Sequence, residues 1–163
     1  MISAIGVELS ASTDAAAVAV AARDGQRWLA DLMWYGDPDD VVAECSWLSA
    51  ALEDNCGVFC DPQASAGVLD GLRGAGVWLH LMEATDVSAS QFQLVTDVRH
   101  RRVKLGGHPA LMASARAALP RPVTARFGFQ RKQADMSPLN SAAHALWGLR
   151  RNEAAADPGV YVI

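Results

Sequence analysis

Three carboxylates far apart in the chain stand where folds build reaction sites. Glu8 lies inside an apolar segment, Asp61 lies between the apolar run Val58-Phe59-Cys60 and Pro62, and Asp135 lies just ahead of Ser137-Pro138. Ser-Pro at the start of an apolar-periodic segment marks the cap and first turn of a helix. Asp135 is therefore held beside a helix face formed by Leu139, Ala142, Ala143, Leu146 and Trp147. A carboxylate against a buried wall requires a partner, either a basic side chain or a cation shared with other acids. Converging carboxylates repel one another and are stable mainly around divalent ions. No cysteine or histidine joins the three acids, so the expected guest is hard, oxygen-liganded Mg²⁺ or Mn²⁺. Two such ions about 4 Å apart clamp the attacking water and the leaving oxygen of a phosphodiester. Each acid also has an ordinary explanation: Asp135 suits the positive end of a helix, Asp61 suits a helix cap, and Glu8 suits a solvent-facing strand position.

The elements that must bring these acids together are legible in outline. An opening strand over Ile2–Ser10 is followed by the alanine- and valine-rich run Asp14–Ala22. Asp24-Gly25 turns that run into a third strand, Arg27–Tyr35. Asp37-Pro38 caps a helix with Val41, Val42, Cys45, Leu48 and Leu52 on one stripe. Gly57–Cys60, a helix over Gln63–Arg73 and Val77–Met82 then read as a βαβ unit with two parallel strands. A helix from Asp86 to about Arg102, another from His108-Pro109 to Leu119, an extended stretch over Arg121–Phe129 and the helix after Asp135 complete the domain. The predicted architecture is an α/β mixed sheet, with strands one to three antiparallel and later strands parallel, flanked by helices. Residues 1–153 form one domain and 154–163 a loosely attached tail. In such sheets sites form at strand carboxyl ends, and the first and fourth strands of this topology can lie side by side.

Composition narrows the function classes. With 163 residues and 51% hydrophobic content the chain can bury a core without staples. Its three cysteines, Cys45, Cys56 and Cys60, have no histidine at zinc-site spacing and read as small buried hydrophobes. Trp34 is the tryptophan expected to be exposed, at a hairpin tip, and the histidines form no constellation, although His144 on the last helix can approach the acids. The net charge of −4 conceals an asymmetry: residues 1–98 carry three basic side chains against fifteen acids, while residues 99–151 carry eleven against Asp135 alone. A polyanion partner is compatible with such a basic half. No apolar run is long enough to cross a membrane and no signal peptide precedes the first strand, so a cytoplasmic location is expected.

The strand Ile5-Gly6-Val7-Glu8-Leu9-Ser10, the hairpin, Val58-Phe59-Cys60-Asp61-Pro62 and the segment from Arg131 through Asp135-Met136-Ser137-Pro138-Leu139 to Ala145-Leu146-Trp147 together form a recognisable pattern. It resembles the carboxy-terminal nuclease domain of bacteriophage terminase large subunits, most closely actinobacteriophage versions, over nearly the whole chain. The segment after Asp135 is the most specific piece. The resemblance implies a ribonuclease-H-like fold and a metal-dependent DNA endonuclease that cuts concatemeric viral DNA during genome packaging. It makes Glu8, Asp61 and Asp135 the catalytic, metal-binding acids for two Mg²⁺ or Mn²⁺ ions, with Glu8 standing where the family usually has aspartate. Arg99, Arg101, Arg102, Lys104, Arg126, Arg131 and Lys132 would then hold the phosphates of double-stranded DNA, although a basic run at a helix end is also simply solvated. A complete large subunit carries an amino-terminal packaging ATPase domain and works with a portal and a small terminase subunit in the host cytoplasm. No G-x-x-x-x-G-K-[ST] loop occurs here, so the chain is expected to be a domain of a longer protein.

Two other readings remain open at the level of sequence. One is a non-catalytic DNA-docking module of the packaging motor. The other is half of an actin-like ATPase, although the turn at Ser10-Ala11-Ser12-Thr13 lacks the glycine of a tight phosphate loop.

Overall fold

The structure, a computed structural model, describes residues 3–52, 56–118, 127–129 and 134–156. Three antiparallel strands open it: β1 (Ser3–Leu9), β2 (Ala16–Asp24) and β3 (Arg27–Gly36). The hairpin between β2 and β3 closes where Asp24 pairs with Arg27, and Gly25 adopts φ +59°, a left-handed conformation that glycine takes without steric cost. After a short 3₁₀ turn capped by Asp37 come α1 (Val41–Ala51) and β4 (Val58–Cys60). The expected helix over 63–73 shortens to a 3₁₀ turn and α2 (Leu69–Gly74). Asp61 caps a first turn, taking the Gln63 N–H on its side chain and the Ser65 N–H on its carbonyl, and glycines at 67 and 71 weaken the helical turns beyond it.

β5 (Leu79–Leu81) then lies parallel to β4, as the βαβ reading requires, and α3 (Ala84–Arg99) comes next. A sixth strand, β6 (Val103–Leu105), departs from the sequence expectation: the basic run reads as a helix end, but Arg101 at φ +56° stops the helix and turns the chain into a strand parallel to β3. α4 (Pro109–Ala117) begins at His108, whose Nδ1 accepts the Ala110 N–H. α5 (Ser137–Ala156) runs past the expected boundary at residue 153. The remaining tail and most of the stretch expected to be extended, 121–126, lie outside the described residues.

The strand order is β5-β4-β1-β2-β3-β6, a mixed sheet between two helical layers. Its alternation divides the core. Ile5, Val7, Leu9, Ala16 and Val18 face α1 and α2, while Ala4, Ala17, Ala19, Ala21 and Phe59 face α3, α4 and α5. The second face is built of small residues because α5 lies close against it. A Cβ on Gly6 would come 1.9 Å from the Ser141 carbonyl oxygen, and one on Gly148 would come 2.3 Å from the Phe59 ring. With α3 and α4 beside it, α5 is buried around its whole circumference from Ser137 to Leu146, not only on the single face its periodicity suggests. No helix among the described residues is long and apolar enough to cross a membrane.

Trp34 is partly buried and packs on the α1 side of the sheet; Trp47 and Trp78 are the exposed tryptophans, at 63% and 51%. All three cysteines are free and buried, as expected. Burial pushes the Cys45 and Cys60 thiols up to about 12 from a usual 9.0, and Cys56 is raised in the same way. These thiols stay protonated in the fold while the unfolded chain ionises, so they favour the native state below pH 9, and that contribution declines as pH rises from 9 toward 12. Thiol titration with a disulfide reagent at pH 8 is expected to find no rapidly reacting cysteine in the folded protein and all three in urea.

Candidate active site

The three acids lie at one end of the sheet because α5 runs antiparallel to β1. Asn140, near its start, reaches Glu8, and Asn152, near its end, donates to the Ser3 carbonyl. Across the strands, Glu8 pairs with Ala17 and Ala17 with Tyr35. Val7 pairs with Cys60 in parallel register, so Asp61 stands beside Glu8, one residue beyond the last paired position. Asp61, Glu8, Ala17 and Tyr35 thus form one row at the carboxyl ends of β4, β1 and β3. Gly6 and Phe59, two residues earlier in the same two strands, both meet α5, which puts the Glu8 and Asp61 positions on the α5 side of the sheet.

Each carboxylate is held differently. Glu8 is 1% exposed, accepts the Asn140 Nδ2–H at 2.7 Å and has His144 Nε2 at 3.7 Å from its second oxygen. It is not the solvent-facing strand residue that the ordinary reading allowed. Asp61 is half-buried and accepts the Gln63 N–H at 2.9 Å. It borders a cleft of about 440 Å³ that Met82, Ser88, Gln91, Phe127 and Phe129 also line. Asp135 takes the Ser137 N–H at 2.8 Å on one oxygen, and on the other the Ser137 hydroxyl at 3.0 Å and the Tyr35 hydroxyl at 2.9 Å. Ser137 is therefore the first residue of the helix and not its cap. Met136 supplies the first accepting carbonyl, and the Asp135 side chain satisfies the leading N–H. Burial, followed by the Asp135 carboxylate, pushes the Tyr35 phenol up to about 12, so it remains a donor at neutral pH.

The set suits a hard divalent ion in its chemistry, being oxygen-only, and in the adjacency of Glu8 and Asp61. The Tyr35 hydroxyl, from the strand two places from β1, reaches Asp135 across the sheet face. No group of three or more His, Cys, Asp or Glu side chains among the described residues is close enough to hold a metal.

Compared by sequence, the chain matches no protein-family model and no curated protein. Compared by structure, it superposes on the large terminase of bacteriophage HK97 with a TM-score of 0.68 at 14% identity, over 90% of this chain and 38% of that one. The large terminase nuclease from thermophilic phage G20c gives a TM-score of 0.67 at 14% identity, over 88% of this chain and 80% of that one. The fold is that of large terminase nucleases. The human cytomegalovirus terminase nuclease domain, soaked with Mn, shares it at a TM-score of 0.53 and 12% identity, over 88% and 81% of the two chains. This chain therefore spans little more than a third of the HK97 large terminase and most of the separate nuclease structures.

Within this terminase-nuclease fold the basic residues divide. Arg99, Arg101, Arg102 and Lys104 are exposed, but they flank the start of β6, where the Arg102 carbonyl accepts the Trp28 N–H at the opposite end of β3 from Tyr35. That places them roughly 20 Å from the acid row. Arg126, Arg131 and Lys132 lie outside the described residues. The polar residues that sequence reasoning passed over are Tyr35 and Asn140. A signal for the second exists: Ser137, Asn140, Ser141 and His144 recur at i, i+3, i+4 and i+7, a polar stripe on a helix that otherwise reads as apolar.

Proposed function

We propose that the chain is the nuclease domain of a terminase large subunit, a metal-dependent DNA endonuclease that cuts concatemeric viral DNA during genome packaging. The observation carrying this reading is the row Asp61–Glu8–Ala17–Tyr35, with Asp135 held on Tyr35, at the carboxyl end of a sheet that terminase nucleases share. Glu8 and Asp61 would hold Mg²⁺ or Mn²⁺, and Asp135 is the third ligand of a two-ion site. When bound, the ions supply water activation and neutralise charge gathering on the phosphate. The chain's own groups orient the acids: Asn140 and His144 face Glu8, the Gln63 N–H fixes Asp61, and Ser137 with Tyr35 fixes Asp135. The cleft beside Asp61 gives room for a substrate strand.

Double-stranded DNA is the substrate, and contacts that read only its backbone carry little base preference. Arg99, Arg101, Arg102 and Lys104 would meet phosphates well away from the cut, with Arg131 and Lys132 next to Asp135 in sequence. The packaging ATPase domain of the same protein, the portal and the small terminase subunit are the expected partners. That no three acids among the described residues lie close enough together to share a metal favours a second reading, a DNA-docking module without cleavage.

Incubation of supercoiled plasmid with the protein and Mn²⁺ separates the two. Nicking is expected, falling by at least about 10³-fold in Asp61→Ala and Asp135→Ala, as loss of several kcal/mol of transition-state stabilisation requires. DNA binding with no metal-dependent nicking in the unaltered protein would sink the nuclease in favour of docking.

A further inference from the structure

Glu8 is a carboxylate with 1% exposure on the small-residue face of the sheet, and two polar groups approach it from one helix. Asn140 donates to Oε1 at 2.7 Å, a short distance for an amide donor and typical of a charge-assisted bond, while His144 Nε2 stands 3.7 Å from Oε2. Both residues are fully buried and four apart, so they stack on the same side of α5. The approach is set by backbone contact, because Gly6, two residues before Glu8, leaves room for the Ser141 carbonyl and the Ala145 N–H of that helix.

We infer that Asn140 is the positioning residue for Glu8: by holding Oε1 it fixes the orientation of the carboxylate that would bind the metal, and its reach is matched to a glutamate. The inference rests on the nuclease reading and deepens it. A glutamate carries one more rotatable bond than an aspartate and is the less defined ligand unless something immobilises it. Here the immobilising group is built into the helix that Asp135 precedes by two residues. Shortening the acid by one carbon–carbon bond, about 1.5 Å, would withdraw its oxygen from Asn140 beyond hydrogen-bonding distance. The glutamate at position 8 and the asparagine at position 140 therefore work as one unit. Neighbours that orient a metal ligand in this way typically change metal affinity or activity 10–100-fold when removed.

The test is a double-mutant cycle on the domain, reading Mn²⁺ affinity by calorimetry, with plasmid nicking followed as a function of Mn²⁺ concentration and thermal melting as the control for folding. Asn140→Leu, which keeps volume and removes the amide, is expected to weaken Mn²⁺ binding at least about ten-fold, with Asn140→Ala as the alternative if the leucine does not pack. Glu8→Asp is expected to lose a similar factor, and Glu8→Asp with Asn140→Leu no more than the weaker single variant, because both remove the same restraint. A folded Asn140 variant with unchanged Mn²⁺ affinity, or a double variant whose losses multiply, overturns the inference and leaves the nuclease reading intact. A protein that binds Mn²⁺ with this pattern but does not nick defeats the nuclease reading and sustains the positioning role. One that binds no Mn²⁺ defeats both.

Discussion

Glu8→Gln is expected to melt later than the unaltered protein in the absence of metal and to nick DNA at least about 10³-fold more slowly in its presence. The first half follows from burial. A carboxylate withdrawn to 1% exposure loses hydration worth several kcal/mol. Glutamine keeps the shape and an acceptor facing the Asn140 Nδ2–H, but it removes the charge. A gain of about 1–2 kcal/mol, or roughly 2–8 °C in a domain of this size, is the expected scale. The second half follows from chemistry, since a neutral amide is a poor ligand for a hard divalent ion. The two changes together would mark position 8 as one where stability is given up for function. Thermal melts in EDTA and nicking assays with Mn²⁺ check both halves, and a Glu8→Gln protein that melts earlier or nicks at the original rate contradicts the account.

Gly6→Ala is expected to abolish the fold or leave it too weak to isolate. The added Cβ would fall 1.9 Å from the Ser141 carbonyl oxygen and 2.6 Å from the Ala145 nitrogen, both backbone atoms of α5. Neither can rotate away as a side-chain tip would, so α5 must lift from β1 as a body. Lifting it opens the packing of Ala142, Ala145, Leu146 and Leu149 over the sheet, all of which are buried. The loss is expected to exceed about 4 kcal/mol, a large part of the stability of an ordinary domain. Urea unfolding of the soluble fraction, or its absence, measures this. A Gly6→Ala protein within about 1 kcal/mol of the original would show that α5 can yield.

These two positions also show how far the residues can be read before the fold. The Gly6 signal is weak: a glycine inside a strand indicates close approach of something, but not that the visitor is the backbone of a helix more than 130 residues later. Glu8 is legible as an acid in a strand, whereas its burial depends on which strands flank β1 and on α5 covering it. The basic run at Arg99–Lys104 reads as helix and phosphate contact. Its placement far from the acids comes from β6, a three-residue strand too short to show a period and preceded by a non-glycine residue in a left-handed conformation.

What the residues alone determined about this protein is the kind of object it is. Alternating apolar runs, the Asp-Gly turn and the βαβ spacing specify a mixed α/β sheet, and strand ends and helix starts specify where Glu8, Asp61 and Asp135 sit along the chain, because periodicity and turn chemistry are local properties. The tertiary structure alone decided which groups meet. Parallel pairing of β1 with β4 puts Asp61 beside Glu8, the Tyr35 hydroxyl from β3 meets Asp135, and the closeness of α5 to Gly6 brings Asn140 and His144 onto Glu8. Such meetings depend on register, on strand order and on a helix depth set by one missing methyl group, and these are fixed only when the whole chain is packed.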